Sequence, residues 1–184
     1  MPYRKALILS LFMLGVIFMS GCGTEVSDRI FVRAVYIGDT ADGVMVAVEY
    51  SENGEKKVGY SEEGNLSRAV DEISDRTGKD IFFGHCGAVF ISLESGDVFR
   101  KSDYLISDKK IPPEAVVCVC EDEGVLYADN IDRVGKIAEK SVEKGKLPDS
   151  RIMRIVSAEC GGNGVKVPFA SIDGESVILS DVKR

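Results

Sequence analysis

Few side chains in this 184-residue chain have the types and spacing that chemistry requires. His85, the one histidine, stands next to Cys86, where a base and a nucleophile are neighbours. Such a pair could support covalent catalysis. Cys118, Cys120 and Cys160 complete the thiols beyond residue 22, and several thiolates together could hold zinc. Each possibility meets a physical objection. The stretch "DIFFGHCGAVFIS" is too uniformly apolar to alternate against water, and its glycines at 84 and 87 disfavour a helix, so it reads as one strand covered on both faces. Neighbours on a strand point to opposite faces, and apolar surroundings raise a thiol pKa, against reactivity. His85 is therefore expected to be a buried, hydrogen-bonded histidine. Cys118 and Cys120, at i and i+2, share a face but lack the two-residue knuckle of zinc sites. Packing as small apolar groups is the reading for these cysteines, with a disulfide or a metal as alternatives. Glu121-Asp122-Glu123 lacks the spaced oxygens and glycine of a calcium loop and reads as a solvated turn. The "GGNG" at 161–164 has no phosphate-binding layout. No residue is assigned a catalytic, cofactor or metal role, and the chain is expected not to be an enzyme.

Cys22 is a different case. Arg4 and Lys5 precede an apolar run from Ala6 to Met19, which shortens to Ser20 and Gly21 before Cys22. That order is a charged n-region, an h-region and a small-residue cleavage site. The run is short for a permanent span, which takes about 20 apolar residues. Met19-Ser20-Gly21-Cys22 resembles the bacterial lipobox, in which the cysteine sulfur takes a diacylglyceryl group and the preceding peptide is cut. Residues 1–21 are therefore expected to be a lipoprotein signal, Cys22 the lipidation site, 22–29 a tether and 30–184 one domain. Removing residues 1–21 leaves 163 residues and takes the formal charge from −7 to −9. So acidic a body argues against nucleic acid, whose affinity rests on Lys and Arg at phosphates, and against electrostatic adhesion to anionic lipid. The expected place is the extracytoplasmic face of a membrane.

The elements that must position these residues read as α+β. "IFVRAVYIG" and "VMVAVEY", separated by "DTADG", predict an antiparallel hairpin over 30–38 and 44–50, with "KKVGY" as a third, edge-like strand. Leu66, Ala69, Val70 and Ile73 fall at helical spacing between a capping Asn65 and Gly78. "SGDVFRKSDYLISD" predicts a helix capped near Ser95 or Asp97, and "AVVCVCE" a buried strand behind Pro112 and Pro113, which makes a βαβ crossover. A long helix is expected from Asp129 to near Gly145 and another from Asp149, and "VKVPFASI" and "SVILSDV" close the domain as strands. The predicted fold is a mixed sheet with an N-terminal antiparallel hairpin, a βαβ crossover and packed amphipathic helices.

The lipobox, the hairpin near "VYIGDT", the segment "GNLSRAVDEISDRTGKDIFFGHCGAVFIS" and "YLISDKKIPPEAVVCVCEDEG" together resemble the Ger(x)C family of spore germination lipoproteins. Ala69 matches that family's helix position, Phe82, Phe83, Gly84, His85 and Cys86 its aromatic-histidine position, and Asp108 to Pro112 the link before a strand. "VPFASI" resembles the family's pattern near the end of its first domain. The chain departs in reading Cys22-Gly23-Thr24 where members have Cys-Trp-Asp, and in covering one domain's worth of a family about twice as long. The resemblance implies an interaction and assembly subunit of a germinant receptor, held by lipid on the inner spore membrane beside integral A-type and B-type subunits, with no established catalysis and no cofactor. The alternative is a free-standing ligand-binding lipoprotein of the cell envelope.

Overall fold

A computed structural model describes residues 28–181, so Cys22 and the signal segment lie outside the described residues. The fold is α+β, as the patterning predicts. β1 (Arg29–Asp39), β2 (Val44–Glu52) and β3 (Glu55–Glu63) form an antiparallel meander. α1 (Leu66–Thr77) follows, capped by the Asn65 side chain at one end and by left-handed Gly78 at the other. Then come β4 (Asp80–Phe82), β5 (Ala88–Ser92), α2 (Val98–Ser107) and β6 (Val116–Cys120). After α3 (Val134–Glu143) and α4 (Ile152–Cys160), β7 (Phe169–Asp173) and β8 (Ser176–Ser180) make a closing hairpin.

The strands join in the order β3-β2-β1-β5-β6-β7-β8, with β4 beside the start of β1. β4, β5, β6 and β7 are parallel within the pairs β1–β4, β1–β5, β5–β6 and β6–β7, and β5–α2–β6 is the predicted crossover. Both faces of the sheet are covered. On one, Val35, Ile37, Val46 and Val48 pack with Ile73 of α1, Leu105 of α2 and Ile152 of α4. On the other, Tyr36, Phe90, Cys118 and Cys120 lie under Leu126, Ile131 and Val134. Burial on both faces explains why β5 and β6 are continuous apolar runs. The two sheet edges differ: β3 carries Glu55, Lys56, Lys57, Glu62 and Glu63, whereas β8 is uncharged along its whole length.

Three expectations are corrected. "DIFFGHCGAVFIS" is not one strand but two. Between the pairs Phe31–Phe82 and Ala34–Ala88, β1 advances three residues and its neighbour six, so the chain loops out of the sheet. The Cys86 N–H donates to Phe83 O at 2.9 Å and that of Gly87 to Arg33 O at 2.8 Å, which closes the turn and returns the chain to β1. The helix expected from Asp129 begins as 3-10 turns at Glu123–Tyr127 and Ile131–Arg133, and regular α-helix starts only at Val134. Likewise the helix expected from Asp149 starts at Ile152, because Asp149 is held by Arg151, its Oδ2 accepting from Nη2 at 2.6 Å.

Candidate functional site

The loop places the predicted residues differently from a strand. Cys86 is buried and its Sγ donates to Ala88 O at 3.3 Å, but His85 is exposed. Its ring stacks on Phe31, with centroids 5.2 Å apart, and meets Phe82 edge-on at 5.8 Å. The expectation of a buried, hydrogen-bonded histidine is corrected: the loop of residues 83–87, three residues longer than the matching stretch of β1, frees it from the sheet. Burial pushes the Cys86 thiol up to about 12, so the neighbouring base and nucleophile do not form an activated pair.

Cys118 and Cys120 share the second face as expected, and both are free thiols. Burial pushes the Cys120 thiol up to about 12, with Asp122 and Glu123 adding to it, and raises that of Cys118 as well. Cys86 lies on the opposite face of the sheet and Cys160 on the surface at the end of α4, so the four do not converge. Among the described residues no group of three or more His, Cys, Asp or Glu is placed to hold a metal ion. In a Cys22→Ala background, native protein at neutral pH should take up a thiol-specific alkylating agent at Cys160 alone. Cys86, Cys118 and Cys120 should react only after denaturation, as read by peptide mass mapping. Labelling of the β6 thiols in the native state would contradict the packing described here. Glu121-Asp122-Glu123 is a turn, in which Asp122 Oδ1 accepts from the Gly124 N–H at 2.8 Å.

The structure assembles a different cluster at the carboxyl end of β1. Asp39, its last residue, accepts from Lys101 Nζ at 2.7 and 2.8 Å and from Ser95 Oγ at 2.6 Å; Lys101 also donates to Ser95 Oγ. Burial pushes the Asp39 carboxyl up, but the hydrogen bonds from Lys101 and Ser95 outweigh it and leave it below the ordinary carboxylate range. Lys101 is 8% exposed, unusual for a lysine. α2 puts it there: starting at Asp97, whose Oδ1 caps the Arg100 N–H at 2.9 Å, the helix turns Val98, Lys101 and Leu105 onto one face. Around these groups lies a cleft of about 490 Å³, lined by Asn65 and Ser67 at the start of α1 and by Arg100 and Tyr104 of α2. The Tyr104 hydroxyl is buried without a hydrogen-bond partner. Open sheets with parallel strands place ligands outside the carboxyl ends of those strands, and this cleft occupies that position.

None of Asp39, Ser95 or Lys101 was assigned a site role from the sequence, although one signal was legible. A lysine three residues after Val98 and four before Leu105 sits on the apolar side of its helix, and a buried ammonium demands a partner.

A second buried charge has no such network. Glu49 of β2 is 1% exposed and its Oε2 has no hydrogen-bond partner. Burial raises its carboxyl above the ordinary value, against the opposing pull of Arg33 and Lys56. Between the unfolded and the raised folded value, the folded state holds a proton that the unfolded chain has released. Stability should therefore fall as pH rises from about 4 through that window. Glu49→Gln should remove this slope and gain on the order of 1 kcal/mol at neutral pH, measured by urea unfolding across the range. A variant less stable than the parent at pH 7 would mean that Glu49 is paired.

No family model and no curated protein matches the chain. The solved structures to which it is similar include two from Pseudomonas aeruginosa. YeaZ from Pseudomonas aeruginosa is 12% identical with a TM-score of 0.34, over 81% of this chain and 64% of that one. An uncharacterized protein with similarity to peptidase YEAZ from Pseudomonas aeruginosa is 11% identical with a TM-score of 0.34, over 82% of this chain and 64% of that one. The chain thus spans about 64% of the length of those chains. At that score the likeness assigns no activity. The expectation that the chain is not an enzyme is nevertheless corrected and is not carried forward. Its ground, the absence of groups placed to act together, fails at the cleft, where a serine hydroxyl, a lysine and a carboxylate meet.

Proposed function

We propose that this chain is a lipid-tethered interaction and assembly subunit of a spore germinant receptor, acting in nutrient-triggered germination beside integral A-type and B-type subunits. The observation that carries the reading is the placement of Cys22. It closes a lipobox-like segment, and Arg29, the first residue of β1, stands seven positions after it. A diacylglyceryl group on that sulfur, with a second acyl chain on the new amino terminus, suffices for stable anchoring where one chain is marginal. Among the described residues no helix is long and apolar enough to cross a membrane, so in this reading the attachment falls to Cys22.

Crosslinking in spore membranes followed by affinity recovery of the chain tests the partnership. Recovery of the integral subunits is the expected result, and recovery of none of them would overturn it. Metabolic labelling with a fatty-acid probe tests the anchor, which should be lost in Cys22→Ala.

A second reading, a free-standing ligand-binding lipoprotein, is favoured by the cleft around Lys101. An orphaned hydroxyl and a buried ammonium in one open cleft are groups that a polar ligand could engage. Thermal stabilisation of the wild type by small polar metabolites, lost in Tyr104→Phe, would support it.

A further inference from the structure

We propose that the aromatic cluster of Phe31, Phe82 and His85 is a bilayer-docking patch that seats the domain on the membrane holding its lipid anchor. The inference rests on the anchoring reading above and adds to it an orientation.

The three rings form one unit. Phe31 and Phe82 are paired across β1 and β4, with centroids 5.7 Å apart and planes at 75°, and His85 stacks on Phe31. Phe82 is 39% exposed and His85 is exposed, so apolar ring surface reaches solvent beside a polar imidazole edge. Phenylalanine rings bury favourably at the boundary between headgroups and acyl chains, and a histidine beside them can keep its polar tip hydrated. The Phe82 ring also lies over Gly84, where an added Cβ would stand 2.4 Å from Cζ, so the loop is packed tightly around the ring.

The occupant follows from chain length. Phe31 stands nine positions after Cys22, a stretch that spans at most about 32 Å when fully extended. A bilayer holding Cys22 is therefore within reach of the cluster. Arg29 and Arg33 are exposed on either side of Phe31, a basic contribution on an otherwise acidic body, although Asp80 pairs in register with Arg29. With charge thus divided, ring insertion is the main contact. β1 then runs away from the membrane, and the eight steps from Phe31 to Asp39 at about 3.3 Å each place Asp39 and the cleft up to about 26 Å further out.

The chain contains no tryptophan, which makes a single introduced one an unambiguous reporter. Full-length chain bearing Phe82→Trp is produced in a bacterium that processes lipoproteins, then reconstituted into phosphatidylcholine/phosphatidylglycerol vesicles. His85→Trp serves as a second reporter should the larger ring at 82 disturb the loop. Leu93→Trp, 56% exposed just beyond the carboxyl end of β5, is the control at the opposite end of the sheet. Flotation with the vesicles, with emission at 82 and 85 shifted to shorter wavelength and quenched by lipids brominated near the interface while that at 93 is unaffected, is the expected result. Flotation with all three emissions unchanged overturns the patch and leaves the anchor standing. Failure to float overturns both. Shielding at 82 only when spore membrane proteins are present assigns the patch to a protein and overturns the bilayer as its occupant.

Discussion

Asp39→Ala is expected to lower the stability of the chain by about 3 kcal/mol, because it leaves the Lys101 ammonium buried with only the Ser95 hydroxyl for company. The two partners are unequally placed. The Lys101 side chain is 10% exposed and that of Asp39 is 44% exposed. Removing the lysine instead, as in Lys101→Met, frees a carboxylate that water can reach, and its methylenes are replaced by apolar atoms of similar volume. That variant should lose about 1 kcal/mol. The double variant should be more stable than Asp39→Ala alone, since no unpaired charge remains. Urea unfolding of the four proteins closes the cycle. The acid limb supplies a second readout. With its folded pKa depressed, Asp39 contributes stability that is present above the unfolded carboxylate value, about 4, and lost as pH falls through the lower folded value. That part of the acid slope should vanish in Asp39→Ala. Equal losses in the two single variants would mean that the pair is a surface contact and not the buried network that shapes the cleft.

Gly43→Ala is the second large effect, about 3 kcal/mol. A Cβ on Gly43 would stand 2.1 Å from the Glu63 carbonyl oxygen and 2.8 Å from its carbon, backbone atoms that cannot swing aside as a side-chain tip can. The next pair, Val44–Glu63, is where β2 and β3 end their ladder, and Gly64 and Asn65 follow directly into α1. Relief of the clash therefore pushes the β3–α1 turn outward and, with it, the Asn65 side of the cleft. Gly64→Ala is the control: nothing lies within 4 Å of the atom it would add, and its unfolding midpoint should stay close to that of the parent. Similar losses at both positions would show that the cost is conformational and not steric.

Local patterning made most of the elements legible. The 3.6-residue spacing of Leu66, Ala69, Val70 and Ile73 and the caps at Asn65 and Gly78 specify α1 without any tertiary knowledge. The "DTADG" connection likewise specifies the β1–β2 hairpin. What patterning could not supply was register. Nothing in "DIFFGHCGAVFIS" marks where one strand stops and another starts, because both pair with β1 and both need apolar residues. The break is visible only against the partner strand, and His85 went to the wrong environment with it. The cleft was hidden for a related reason. Asp39, Ser95 and Lys101 each have a local explanation as turn, cap and helix residue, and only the parallel pairing of β1 with β5 brings the carboxyl end of one beside the helix that follows the other. The proposed lipidation segment in the first residues and the folded cleft call on different physics. A lipidation segment is read as linear sequence by processing enzymes, whereas the cleft exists only in the folded chain.

The unequal borders of the sheet bear on how copies of this chain can associate. Five charged groups along β3 oppose the approach of another backbone, and at β8 the Asn130 side chain occupies the edge, its Nδ2 donating to Val177 O at 3.0 Å and its Oδ1 accepting from the Val177 N–H at 2.7 Å. Extension of the sheet by a second copy is thus opposed at both borders, by charge at one and by a side-chain plug at the other.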